Sequence, residues 1–305
     1  MSRIAFIFPG QGAQVCGMGQ DFYEQTETGK QVFDTATEIL GFSMPELCFE
    51  KNDRLDITEY TQPAMVTASL AMMKVLMERT GIKPDAAAGL SLGEYPAMAA
   101  AGVMSVEDAI RTVRQRGILM QEAVPAGIGA MAAVLAMDAE EIERVIEPIE
   151  GVQIANYNCP GQIVISGKKE AVDEAAEKLK EAGAKRVIPL NVSGPFHSRM
   201  LTEAGEKLGK VLDTVEIHEP VIPYAANVTA EYVTKAEDVK PLLVKQVSSS
   251  VRWEQTMRMM LQDGVDTFIE IGPGKTLAGF MKKIDRNVRV INIEKLEDIE
   301  KVREL

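Results

Sequence analysis

The 305-residue chain sets 33 Lys and Arg against 45 Asp and Glu, a formal net charge of −12, with 46% hydrophobic and 26% charged residues. That composition belongs to a soluble globular protein large enough for a full core and a smaller unit. The acidic balance excludes general nucleic-acid binding, because no overall field draws in phosphate. No apolar run approaches the roughly 20 residues of a membrane span. The opening MSRIAFIFPG has too short an apolar segment and no cleavage pattern for a signal peptide, so the cytoplasm is the expected compartment. Cys16, Cys48 and Cys159 are odd in number and far apart, which fits neither a disulfide framework nor a zinc cluster. They read as reduced thiols, and no metal is expected.

In chain order, RIAFIFPGQGAQ reads as a buried strand entering a loop at Pro-Gly. Residues 62–80 are expected to be helical, and PDAAAGLS leads a second strand into Ser91. EDAIRTVRQRGILMQEA is a helix capped by Ser105. Between 125 and 194 the segments GAMAAVLAM, DAEEIERVIEPIE, VQIANYNC, QIVISG, KEAVDEAAEKLKEAG and KRVIPLNV read as β, α, β, β, α, β. That is the ferredoxin-like order. Later, VDTFIEIGPG repeats strand then turn, and RVINIE adds another strand. The expectation is a mostly parallel α/β core built from 1–124 and 195–305, with residues 125–194 inserted as a subdomain whose mouth faces the main sheet. There is no internal repeat and no low-complexity tract.

Gly89-Leu-Ser-Leu-Gly93 matches the nucleophile elbow, a sharp strand-to-helix turn that presents its serine while the glycines give the backbone room. The competing reading is a glycine-rich helix entry in which Ser91 is only a cap. In an elbow, the backbone N–H of Leu92 points where negative charge develops on an attacked carbonyl. A serine nucleophile needs a base, and the chain has two histidines. His218, between Glu216 and Glu219 in an alternating, edge-strand-like segment, reads as a surface residue. His197 follows Gly194 and Pro195 in a loop just after the inserted segment, where it can be aimed into a cleft, and it is the better partner for Ser91. Arg116 shares a helix face with Ala109, Val113 and Met120, whereas Arg111 points away. An arginine beside an apolar stripe calls for an anion, either an Asp or Glu of the protein or a substrate carboxylate held bidentately. Lys275, Lys282, Lys283, Arg286 and Arg289 form a basic stretch around the lone Asp285, readable as a solvated face or as a docking site for an acidic partner. Two tempting motifs fail. IEIGPGKTL lacks the first glycine of a phosphate loop, and GIGAMA precedes a strand instead of opening a helix.

FPGQGAQ, GLSLGEY, RQRG, FHS and EIGPGKTL occur together, in this order. The chain therefore resembles the bacterial malonyl-CoA:acyl carrier protein transacylase family over essentially its whole length. The resemblance implies an α/β-hydrolase-like core with an inserted ferredoxin-like subdomain, in agreement with the element order above. It implies Ser91 as the acylated nucleophile, His197 as its general base and Arg116 as the ligand of the malonyl carboxylate. It also implies that Gln11 gives its backbone N–H to an oxyanion hole with Leu92, and that Gln246 offers its main-chain carbonyl to His197. The family usually has histidine before the serine, where this chain has Leu90. Malonyl-CoA and holo acyl carrier protein are the implied partners, the latter near Lys275, Lys282, Lys283 and Arg286. No dissociable cofactor is implied, and a monomer is expected. The same residues would also suit a trans-acting acyltransferase of a polyketide synthase or a serine thioesterase.

Overall fold

Strands whose sequences are apolar on both faces must be covered on both faces, which favours a parallel sheet with helices packed against it. In the computed structural model, which describes residues 2–192, 194–303 and 305, Ile4–Phe8 (β1) and Ala86–Gly89 (β2) are such strands and pair in parallel. The chain next forms the antiparallel strands Gly129–Leu135 (β3), Val152–Cys159 (β4), Gln162–Lys168 (β5) and Arg186–Pro189 (β6). It then returns to the first sheet with Tyr224–Ala225 (β7), Tyr232–Val233 (β8), Thr267–Ile271 (β9) and Arg289–Ile293 (β10). The main sheet has the order β10-β9-β1-β2-β7-β8, and only the short β7–β8 pair is antiparallel. β1 therefore lies between β2 and β9, and the carboxyl ends of all three meet along one edge. Such edges are where open α/β sheets place ligands.

Beside the sheet runs the helix Thr58–Thr80, in which both faces are largely buried. A helix apolar all round belongs in a core. Against it packs the amphipathic helix Val106–Glu122, whose N-cap Ser105 accepts a hydrogen bond from the Asp108 N–H as expected. Ala109, Val113, Arg116 and Met120 are buried on its inner face, while Arg111 is exposed and paired with Asp108.

The second sheet has the order β4-β5-β3-β6. With its helices Ala139–Ile146 and Lys169–Glu181 this is the ferredoxin-like arrangement expected from the sequence. Val134, Ile142, Ile165 and Leu179 fill the space between this sheet and its helices. Met131 and Val164 join the core of the main unit instead. Main-chain bonds between Tyr157 N–H and Val251 O (2.9 Å) and between Val251 N–H and Ala155 O (2.8 Å) tie β4 to the main unit.

The segment around His218 differs from expectation. It is not a strand until Tyr224 enters β7, and main-chain bonds from His218 N–H to Val103 O and from Val221 N–H to Ala101 O tie it down. The glutamates and Pro220 give it no buried face to pair. His218 itself is exposed, 3.8 Å from Glu216. The three cysteines are unpaired. Among the described residues, no helix is long and apolar enough to cross a membrane, and no group of three His, Cys, Asp or Glu side chains is placed to hold a metal ion.

Candidate active site

β2 ends at Gly89, and the chain turns through Leu90 into a 3-10 turn, Ser91–Gly93, and then the helix Glu94–Ala100. Ser91 has φ 54°, a left-handed conformation that L residues avoid. The surrounding backbone allows this turn only with glycine on either side. A Cβ at Gly89 would lie 1.8 Å from Gly93 O, and one at Gly93 would lie 2.3 Å from Phe8 O. The strained turn is held by Asn227, whose Oδ1 accepts from Ser91 N–H (2.7 Å) and whose Nδ2 donates to Gly89 O (2.7 Å). Main-chain bonds from Leu90 N–H to Phe8 O and from Gly93 N–H to Leu90 O complete it. The elbow thus holds through backbone groups and Asn227, without a ring at position 90.

His197, also left-handed at φ 57° and 3% exposed, brings Nε2 to 2.7 Å from Ser91 Oγ. Its Nδ1 lies 2.8 Å from the main-chain oxygen of Gln246. A carbonyl only accepts, so Nδ1 carries the proton and Nε2 is left to accept from the serine hydroxyl. Burial, and then the positive charge of Arg116, push the imidazole down to about 4, against the upward pull of its bonds to the Gln246 and Ser249 backbone. The ring is therefore neutral near pH 7.

Arg116 is 1% exposed. Its Nη1 donates to Gln62 Oε1 (2.7 Å), and its Nη2 donates to Gln246 Oε1 (2.9 Å) and to Ser91 Oγ (3.1 Å). Its Nε is buried without a partner. Neighbouring Arg114 pairs with Glu59 at 2.8 Å, but Arg116 forms no ion pair among the described residues. The expected choice between an internal acid and an external carboxylate is thus narrowed, since two neutral amides and the serine hydroxyl hold the guanidinium and its Nε–H stays unused. Desolvation lowers its pKa, which is the cost of burying a cation without a contacting anion.

These groups open into a cavity of about 580 Å³. Gln11, Leu90 and Ser91 line it from the main sheet's edge, and Met131, Asn158 and Val164 from the second sheet. Leu92 follows the serine at 1% exposure, and Gln11 is fixed by its side-chain bond to Thr58 Oγ1 (3.1 Å). A larger groove of about 730 Å³, beside Glu143, Glu147 and Arg199, contains none of these residues. Lys275, Lys282, Lys283, Arg286 and Arg289 are exposed on or beside the helix Thr276–Ile284, whose Thr276 and Phe280 also line the active cavity. The rejected phosphate loop is filled from within, because Glu270 accepts from the Leu277 and Ala278 N–H groups at 2.9 and 2.8 Å.

The structure therefore brings Ser91, His197, Arg116, Gln11, Leu92 and Gln246 to one place and leaves His218 outside. Sequence reasoning missed Gln62, Asn227, Glu94 and the side-chain role of Gln246. Only Glu94 carried a signal, as an acidic residue directly after the elbow's second glycine.

The family model described as "Acyl transferase domain" matches residues 5–296. A malonyl CoA-acyl carrier protein transacylase of Bacillus subtilis (strain 168) is 50% identical over 305 residues, covering 98% of this chain and 96% of its own. The crystal structure of a malonyl CoA-acyl carrier protein transacylase from Clostridium perfringens superposes with a TM-score of 0.95 at 44% identity, covering 99% of this chain and 96% of that one. A malonyl-transacylase solved in complex with its type II PKS acyl-carrier protein gives 0.96 at 39% identity, with 99% of each chain covered. On this evidence, and with the elbow and its partners in place, the chain belongs to the malonyl CoA-acyl carrier protein transacylase family of acyltransferases.

Proposed function

We propose that the protein transfers a malonyl group from malonyl-CoA to the phosphopantetheine thiol of holo acyl carrier protein through a malonyl-serine, supplying fatty acid biosynthesis. The observation that carries this reading is the convergence on one hydroxyl. Ser91 Oγ lies 2.7 Å from a neutral imidazole and 3.1 Å from a buried guanidinium that forms no ion pair among the described residues.

His197 Nε2 takes the hydroxyl proton as Ser91 Oγ attacks the thioester carbonyl carbon. The oxyanion forms against the backbone N–H groups of Leu92 and Gln11, where one such donor is typically worth roughly 10² to 10³ in rate. The main-chain oxygen of Gln246 stabilises the imidazolium through Nδ1–H. Collapse of the intermediate breaks the C–S bond, and the coenzyme A thiolate takes the proton from His197. In the second half, His197 deprotonates the phosphopantetheine thiol, which attacks the acyl-serine. The C–O bond breaks and the proton returns to Ser91 Oγ, giving ping-pong kinetics. Arg116 pairs with the free carboxylate, so an acetyl group leaves the guanidinium unpaired. This route uses no metal and no dissociable cofactor.

The acyl carrier protein docks near Lys275, Lys282, Lys283 and Arg286, exposed cations on or beside a helix that also lines the cavity. The protein acts as a monomer in the cytoplasm. A thioesterase would share the elbow, but hydrolases of this type usually add an acidic group behind the histidine, and here that position is a carbonyl. Intact-mass analysis after brief exposure to malonyl-CoA tests the reading, using wild type and Ser91→Ala and then adding holo acyl carrier protein. A Ser91-dependent malonyl adduct that moves to the carrier is expected. An adduct lost to water at the same rate with or without carrier would overturn transfer in favour of hydrolysis.

A further inference from the structure

One buried ionisable group beside the site takes no part in the steps above. Glu94 is 1% exposed and lies on the first turn of the helix behind the elbow. Its Oε2 accepts from Gln246 Nε2 (2.7 Å) and from Asn227 N–H (3.1 Å). Both partners reach the elbow directly. Asn227 holds Ser91 N–H and Gly89 O, while Gln246 Nε2 also donates to Ser91 O (3.0 Å) and its Oε1 accepts from Arg116 Nη2.

The chemistry of this chain of contacts is directional. A guanidinium only donates and an ionised carboxylate only accepts, so an amide between them has one allowed sense, with nitrogen toward Glu94 and oxygen toward Arg116. A carboxylate bonded straight to Arg116 would hold the guanidinium more tightly but would occupy the donors a substrate carboxylate needs. The amide spacer takes one Nη2 donor through a neutral oxygen and leaves Arg116 Nε unused.

We infer that Glu94 is a positioning residue that acts through the side-chain amide of Gln246 to orient Arg116, and thereby sets the preference for an acyl group bearing a free carboxylate. The inference rests on the acyl-transfer reading above. Desolvation, opposed by its bonds to Gln246 and Asn227 and by the charge of Arg116, pushes the Glu94 carboxyl up to about 7. The group is thus retained in a place that penalises its charge.

Two substitutions separate positioning from charge. Glu94→Gln removes the charge and keeps an oxygen for the Gln246 and Asn227 donors, whereas Glu94→Met is similar in length and offers no acceptor. Initial rates of Ser91 acylation from malonyl-CoA and from acetyl-CoA give the preference as a ratio, and thermal unfolding checks the fold of each variant. The malonyl-to-acetyl ratio should fall at least tenfold in Glu94→Met and stay within threefold of wild type in Glu94→Gln. An unchanged ratio in Glu94→Met, or an equal fall in both variants, would overturn the inference. Where Glu94→Met does not fold, Gln246→Met deletes the amide and keeps the main-chain oxygen for His197. It should lower the ratio at least tenfold, and an unchanged ratio again counts against the inference. Crystal structures of wild type and variant separate this from failure of the function itself. If wild type takes no malonyl group, the acyl-transfer reading fails. Arg116 Nη2 still held by Gln246 Oε1 and Ser91 Oγ in Glu94→Met would overturn the positioning role whatever the activity.

Discussion

Two strand-to-helix turns flank β1 at the carboxyl edge of the main sheet, one after β2 and one after β9. Each passes through left-handed backbone, at Ser91 (φ 54°) in the first and at Gly272 (φ 143°) and Gly274 (φ 79°) in the second. Each also buries a glutamate whose carboxyl desolvation pushes up to about 7. What differs is the source of the donors. Glu270, on β9, takes two N–H groups from the start of the helix that follows, so that helix end is satisfied from within and an incoming anion would have to displace a carboxylate. Glu94 takes its donors from Gln246 and Asn227, distant segments that grip the elbow from behind, and the serine hydroxyl is left facing the cavity. A raised pKa therefore does not distinguish a helix cap from a working site, whereas the partners of the carboxylate do.

If this contrast is right, damage at the first turn is chemical and damage at the second is structural. The largest effect should come from Ser91→Ala, which should lower acyl loading roughly 10³-fold or more while leaving thermal stability nearly unchanged, because it removes a hydroxyl and no packing. Next comes Arg116→Ala, expected to reduce malonyl loading roughly 10²-fold and to spare acetyl loading, as competing acylation assays would read. Equal loss of both acyl groups would remove the carboxylate role from Arg116.

The pH profile offers a finer test of the first turn. The base must be neutral to accept the serine proton, so kcat/KM for loading should rise with pH through about 4 and then lie flat across the usual imidazole range near 6.5. An acid limb at the ordinary value would mean that His197 is more solvated than its 3% exposure implies.

The second turn should be read in stability, not in rate. In the folded state the Glu270 carboxyl titrates at about 7 instead of 4.5, so between those values the folded chain holds a proton that the unfolded chain has released. Stability should therefore be greatest below that window and fall as pH rises through it, by about 3 kcal/mol for this group at roughly 1.4 kcal/mol per pH unit. Glu94 should add a fall of the same sign. Glu270→Gln should flatten the slope and leave the Glu94 share, as denaturant unfolding at pH 5 and pH 8 would show. An unchanged slope would mean that Glu270 stays accessible to water.

Much of the fold was legible because its signals are local. The apolar strands, the Ser105 cap, the amphipathic face carrying Arg116 and the β, α, β, β, α, β order between 125 and 194 all follow from periodicity and turn residues. The segment around His218 alternates as a strand does, but its exposed glutamates and Pro220 leave it no buried face, so the alternation does not make a strand there. Within the site, glycine spacing exposed the elbow, and the scarcity of histidines singled out His197.

The sequence by itself determined the identity of the chemical groups: a serine in a turn that only glycine neighbours permit, a histidine in a loop, and an arginine on a buried helix face. Nearest-neighbour sterics and helical spacing act over a few residues, so a linear pattern can carry them. The tertiary structure alone decided how those groups are held. Asn227 meets Ser91 across 136 positions and Gln246 meets Glu94 across 152, pairings that no period encodes. They exist because the main sheet's carboxyl edge gathers distant segments where buried polar groups must find partners, and the donors and acceptors available there fix the orientation of each.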